Sequence, residues 1–261
     1  MKHSVSITFM WADEPLPERV RRAAAHGFDR VELWDWRGEP IDEVAEACRE
    51  TGVELAGFFG HSYGALCDPE QHDRVLEALS ESVAVAERVG ALQLHMFSDD
   101  RRPEGGFAPS PPLPAAAKRR ACVEGLRRCA ELVEGRPLEL TLEAINSVFV
   151  PGYFLSDFGA ALEVVREVDH PQVRIFFDCY HQQLVGGRLI EHLVDGLPWV
   201  TSVHVADVPG RHEPGTGEIN FHSIRRVLEE AGYDRQVTFE IVPSDGDSDA
   251  AVAACKAVFP F

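Results

Sequence analysis

The stretch Trp199–Val242, WVTSVHVADVPGRHEPGTGEINFHSIRRVLEEAGYDRQVTFEIV, contains one complete structural unit. It opens with an apolar run, Trp199–Val205, and closes with another, Gln236–Val242. Between them lie a Pro209-Gly210 turn, the charged cluster Arg211-His212-Glu213, a glycine-rich return and a helical pattern from about Phe221 to Ala231. Two strands joined by a loop and a helix run parallel, because the crossover carries the chain back to the same end of the sheet.

Outward from this unit the same alternation fills the chain. Earlier apolar runs lie at Ser4–Trp11, Arg30–Asp35, Val53–Phe59, Leu92–Phe97, Leu138–Asn146 and Val173–Phe177. Helical patterns follow near Pro17–His26, Pro40–Glu50, Glu70–Val89, Ala115–Glu134, Asp157–Val168, Arg188–Gly196 and Asp249–Val258, with Gly27, Gly52 and Gly90 as stop signals. Eight strand–helix units in 261 residues predict one α/β domain over 1–261, a (β/α)8 TIM barrel. A doubly wound sheet would need a G-x-G-x-x-G after the first strand, and Trp11-Ala12-Asp13-Glu14-Pro15 offers no glycine. The Pro- and Gly-rich segment Ser98–Pro114 reads as a long loop, since the alternation continues unchanged on both sides.

Composition narrows the partners. The net charge of −18 opposes nucleic acid and anionic membranes, both of which call for a Lys/Arg surface. No run is long enough to span a bilayer, and the N-terminus reads as a first strand rather than a signal peptide. The six cysteines form no C-x-x-C pair; Cys122 and Cys129 share a helix face as buried thiols, which points to a reducing cytoplasm.

In such a barrel the C-terminal ends of the strands build the active site. The last four runs each place polar residues there: Thr141, Glu143 and Asn146; Asp178 and His181; Ser202, His204 and Asp207; Thr238 and Glu240. Alternation puts Thr141 with Glu143, and Thr238 with Glu240, on one face. Three carboxylates and an imidazole would then ring one end at similar height, an arrangement that needs compensation. A divalent cation held by Glu143, Asp178, His204 and Glu240 supplies it, and a mostly oxygen donor set suits Mg, Mn or Co. His61 and His95 end strands and are read either as hydrogen-bonded core histidines or as substrate contacts. Trp11 and Trp34 are read as apolar walls of the pocket or as core.

The run GRHEPGTGEINF, with the LEAIN, PGYFL and FEIVP segments, resembles the hydroxypyruvate isomerase family of the xylose-isomerase-like TIM barrels. The resemblance implies a fold that covers the whole chain. It implies that Glu143 and Glu240 are the proton donor and acceptor, and that these two with Asp178 and His204 form the metal set of metal-dependent relatives. It further implies that His181 and Arg211 hold the substrate. The implied reaction converts hydroxypyruvate to tartronate semialdehyde through a cis-enediol(ate), with Arg211 also clamping the substrate carboxylate. Its substrate is a small hydroxy-oxo acid or sugar, and a homo-oligomer is compatible with such barrels. The sequence departs from the family at Phe59-Gly60-His61-Ser62-Tyr63-Gly64 and at Ser147-Val148-Phe149-Val150, both loops at the barrel mouth.

Three other readings share the fold. A ketose 3-epimerase, an inosose enzyme or an oxo-tetronate isomerase would use the same residues. A metal endonuclease of the apurinic-site type would use His61, His95 and His212 as well, but it wants Asp where this chain has Gly210, and the charge opposes DNA. A non-catalytic sugar-acid binder would be marked by loss of Glu143 or Glu240, and both are present.

Overall fold

Eight parallel strands pair in sequence order and close into a ring in the computed structural model, which describes residues 1–102 and 105–261. They are β1 (Lys2–Ser6), β2 (Arg30–Glu32), β3 (Glu54–Phe59), β4 (Gln93–Met96), β5 (Glu139–Leu142), β6 (Val173–Asp178), β7 (Val200–Val205) and β8 (Gln236–Phe239). The ring closes where β1 pairs with β8, Ser4 opposite Thr238. This is the (β/α)8 barrel expected from the alternation.

Nine helices are described around it: α1 (Leu16–Ala25), α2 (Ile41–Thr51), α3 (His72–Val89), α4 (Ala115–Val133), α5 (Phe158–Val168), α6 (Cys179–Val185), α7 (Leu189–Gly196), α8 (Phe221–Glu230) and α9 (Ser248–Val258). Their ends follow local chemistry. Gly52 and Gly90 cap α2 and α3 in the left-handed conformation, as their positions predict. Asp157 and Asn220 cap α5 and α8 by accepting backbone N–H groups. In α3 the residues Val75, Leu79, Val83 and Ala86 recur at helical spacing and are buried. Each such Val or Leu contributes about 1.5–3 kcal/mol by leaving water.

Helix α6 is absent from the reading of the sequence. It is seven residues long, too short to show a period, and starts because the Asp178 side chain accepts the His181 N–H at 2.9 Å. Most runs read as strands are longer than the strands themselves, β6 being one residue longer than its run. β5 and β8 stop at Leu142 and Phe239, which leaves Glu143 and Glu240 as the first residues beyond them. The loop after β4 is a long connection, as expected; Pro103 and Glu104 within it lie outside the described residues. All six cysteines are buried free thiols. No helix among the described residues is long and apolar enough to cross a membrane.

Candidate active site

Parallel pairing fixes where the polar residues meet. Asp178 ends β6 opposite His204 on β7, and His204 is opposite Thr238 on β8, two residues before Glu240. Glu143 extends β5 at the same end. One ligand atom from each of Glu143, Asp178, His204 and Glu240 lies within 4.8 Å of the others, and all four residues are buried. Three acidic side chains and one nitrogen at this spacing fit a divalent cation with a preference for oxygen donors.

The cluster carries cationic partners of its own. Arg211 Nη2 contacts Asp178 Oδ2 at 2.9 Å and Glu240 Oε2 at 2.7 Å. His204 Nδ1 lies 3.0 Å from Glu240 Oε2, and the Trp34 indole N–H donates to Glu240 Oε1 at 2.7 Å. These groups divide the carboxyls. Burial opposes ionisation of Glu240, but Arg211, His204 and Trp34 overcome it and hold the group well below the usual carboxylate range. Asp178 is lowered against the same burial by Arg211 and His181. Glu143 lacks such donors, and burial with the neighbouring Glu240 charge pushes it up to about 8. Burial works against a charged His204, but Glu32, Glu240 and Glu143 raise it to about 10.

His181 is held by Asn146. The Asn146 Oδ1 accepts the Phe149 N–H at 2.9 Å, which leaves its amide nitrogen to donate to His181 Nδ1 at 2.7 Å. An imidazole that accepts at Nδ1 carries its proton on Nε2, and that nitrogen lies 3.8 Å from both Glu143 and Asp178. Burial, with the Arg211 and His204 charges, lowers His181 to about 4, so the ring is neutral at pH 7.

The loop that carries Arg211 is tied from within. Asp207, fully buried, accepts backbone N–H groups from Val208, Gly215, Gly217 and Ile219 at 2.9–3.0 Å. This closes the glycine-rich return onto β7. A Cβ on Gly217 would sit 2.0 Å from the Val208 carbonyl oxygen, so only glycine fits there. Arg211 itself has φ +59°, a strained setting for a side-chain-bearing residue and one seen often at functional sites. His212 points away from the cluster and donates to the Val242 carbonyl at 2.6 Å.

A cavity of about 250 Å³ stands over the carboxylates. Glu143, Glu240 and His181 line it, with Trp34, Phe59, Phe97 and Phe107 as an aromatic wall. Arg101 closes one side, its guanidinium 4.4 Å from the Phe59 ring centre and 3.1 Å from Asp35. His61 and His95 do not border this cavity. His61 is fully enclosed and packs on Phe97, and burial with the Arg37 and Arg101 charges lowers it to about 3. His95 lies deeper, edge-on to Phe176 at 4.5 Å, and burial with the His204 charge lowers it to about 3.

Two residues, Arg101 and Glu32, escape the reading of the sequence, and Trp34, read there as a pocket wall or core, lines the cavity and does more. Trp34 is a hydrogen-bond donor to a carboxylate and not merely an apolar wall; Trp11 is buried, with its indole bonded to Asp249. Arg101 sits in a loop with no periodic signal. Glu32 ends β2, wholly buried, and burial pushes its carboxyl up to about 7. Its mark was a single acidic residue inside the apolar run RVELWD.

The comparisons with known proteins agree with this architecture. A protein from Homo sapiens provisionally named hydroxypyruvate isomerase is 30% identical over 93% of this chain and 90% of its own. The 2-oxo-tetronate isomerase of Cupriavidus necator is 32% identical over 95% of each chain. A crystal structure described as an AP endonuclease, family 2, from Brucella melitensis superposes with a TM-score of 0.84 over 97% of this chain and 96% of that one, at 24% identity, which shows the fold alone. The family model for the xylose isomerase-like TIM barrel matches residues 20–258, and the chain belongs to that family.

Proposed function

We propose that this member of the isomerase and epimerase group interconverts the aldehyde and ketone forms of a short hydroxy-oxo acid, hydroxypyruvate to tartronate semialdehyde. The observation that carries the reading is the pair Glu143 and Glu240, which share one small cavity with their carboxyls in a single buried cluster. One carboxylate removes the proton on the hydroxymethyl carbon of hydroxypyruvate, giving a cis-enediol(ate). The other returns a proton to the neighbouring carbon, so that the ketone becomes a secondary alcohol and the primary alcohol an aldehyde.

Glu143, Asp178, His204 and Glu240 would hold a divalent cation, which when bound supplies Lewis-acid stabilisation to the carbonyl oxygen. Arg211 adds positive charge beside Asp178 and Glu240, His181 places Nε2 3.8 Å from Glu143 and Asp178, and the aromatic wall keeps water from the reacting carbons. Arg101 offers a second cation at the side of the cavity for the substrate carboxylate. The 2-oxo-tetronate reading uses the same residues on a substrate one carbon longer, and the similarity to the Cupriavidus necator enzyme favours keeping it. The endonuclease reading loses support because His61 and His212 stand outside the cluster.

A panel of hydroxypyruvate, 2-oxo-tetronate, ketoses, inososes and abasic DNA, assayed in deuterium oxide, tests this. Turnover of a 2-oxo acid with solvent deuterium on the product carbon is the expected result. Turnover confined to ketoses or DNA, or a product free of solvent deuterium, would remove the proposal.

A further inference from the structure

A carboxyl that none of these steps uses stands directly behind the cluster. Glu32 is 1% exposed, and neither of its carboxyl oxygens has a hydrogen-bond partner among the described residues. Its Oε2 lies 3.7 Å from Nε2 of His204, a nitrogen that also lacks a partner. The other ring nitrogen, Nδ1, faces the opposite way, 3.0 Å from Glu240 and 3.9 Å from Asp178. Phe176 covers the face of the ring at 4.4 Å. His204 is therefore gripped on one face and at one edge, with Glu32 waiting at the other edge.

Chemistry decides what that edge is for. An imidazole that offers the Nδ1 lone pair to a cation must keep its proton on Nε2, and a buried N–H requires an acceptor. Ligating histidines nearly always donate this second N–H to a carboxylate or carbonyl, which sets both tautomer and ring orientation. A buried carboxyl with no hydrogen bond is costly, and the facing His204 ring is the group placed to supply one.

We propose that Glu32 is the positioning residue for His204: it accepts the Nε2–H and thereby presents Nδ1 to a cation held with Glu143, Asp178 and Glu240. This rests on the cation reading of the cluster. The present 3.7 Å is longer than a made hydrogen bond, so a small rotation of one of the two side chains completes the contact.

The test titrates Mn²⁺ into full-length wild type, Glu32→Gln and Glu32→Met by calorimetry, with thermal melts of the metal-free proteins alongside. Glu32→Met should weaken Mn²⁺ binding by about 10–100-fold, and Glu32→Gln, which still accepts a hydrogen bond, by less. The metal-free melts establish that each variant is folded, so that a change in Mn²⁺ affinity reports on the site. A side-chain ¹⁵N–¹H spectrum with Mg²⁺, assigned through loss of the signal in His204→Asn, should show a protected Nε2–H that disappears in Glu32→Met. Unchanged Mn²⁺ affinity together with an unchanged Nε2–H signal in Glu32→Met would overturn the proposal. Should wild type bind no Mn²⁺, the cation reading is what fails. The His204 signal of the metal-free protein then decides on Glu32 alone: dependence on Glu32 keeps the positioning role, and independence ends it.

Discussion

The indole N–H of Trp34, from just beyond β2, donates to Oε1 of Glu240, just beyond β8, at 2.7 Å. The bond spans the seam where the ring closes, since β1 alone separates the two strands. It joins the aromatic wall of the cavity to one of the two candidate proton-transfer groups. Trp34→Phe keeps the ring and deletes the donor. Hydrogen bonds to charged groups contribute about 1.5–3 kcal/mol, so kcat/KM should fall by roughly tenfold or more. An unchanged kcat/KM would mean that the bond has no part in setting Glu240.

Glu143→Gln and Glu240→Gln should each lower turnover by at least about a hundredfold, the usual contribution of a positioned acid or base, with circular dichroism unchanged. Either variant retaining more than about a tenth of wild-type activity would remove that residue from proton transfer.

Arg211 supplies compensation to Asp178 and Glu240 within the buried cluster. Arg211→Met removes the largest compensating charge from those carboxylates and should destabilise the metal-free protein by roughly 3–5 kcal/mol in urea unfolding. Mn²⁺ should then stabilise the variant more than wild type, and wild type itself should gain about 2.7 kcal/mol at a hundredfold excess over Kd. A wild-type melt indifferent to both EDTA and Mn²⁺ would count against a cation in this cluster.

His61 gives a pH prediction. Enclosure and the Arg37 and Arg101 charges lower it from 6.5 to about 3, so the folded protein keeps it neutral while the unfolded chain protonates it below about 6.5. Its contribution to stability is complete above that pH and is lost as pH falls toward 3, with a slope of about 1.4 kcal/mol per pH unit. Glu143, raised to about 8, and Glu32, raised to about 7, act in the opposite sense by gaining stability as pH falls. The difference between wild type and His61→Leu is therefore what carries the test. Urea unfolding at pH 7 and pH 5 should show a shallower acid loss in the variant, and equal slopes would refute the buried neutral imidazole.

The barrel and the four-residue cluster were legible in the sequence for a common reason. Parallel strands repeat one polarity, so polar residues at the ends of consecutive runs, Glu143, Asp178, His204 and Glu240, must come together at one rim. Glu32 was not legible, because a lone glutamate in a short apolar run gives no sign of whether it points inward until the ring is closed. The Trp34 bond needed the same closure. Arg101 depended on a loop whose path is set by the bridge between Arg101 and Phe107, which no spacing rule encodes. His61 lies two residues beyond β3 and His95 within β4 rather than at strand ends, and aromatic packing, not the cavity, surrounds them.

Asp207 holds the β7 loop with four backbone hydrogen bonds, so the position of Arg211 is set before any substrate arrives. The entropy of fixing that cation is charged to folding, so its contacts with Asp178 and Glu240 need no closing movement on this side of the rim. Asp207 is thus a preorganising element, and Asp207→Asn, though remote from the chemistry, is the substitution through which Arg211 would lose its aim.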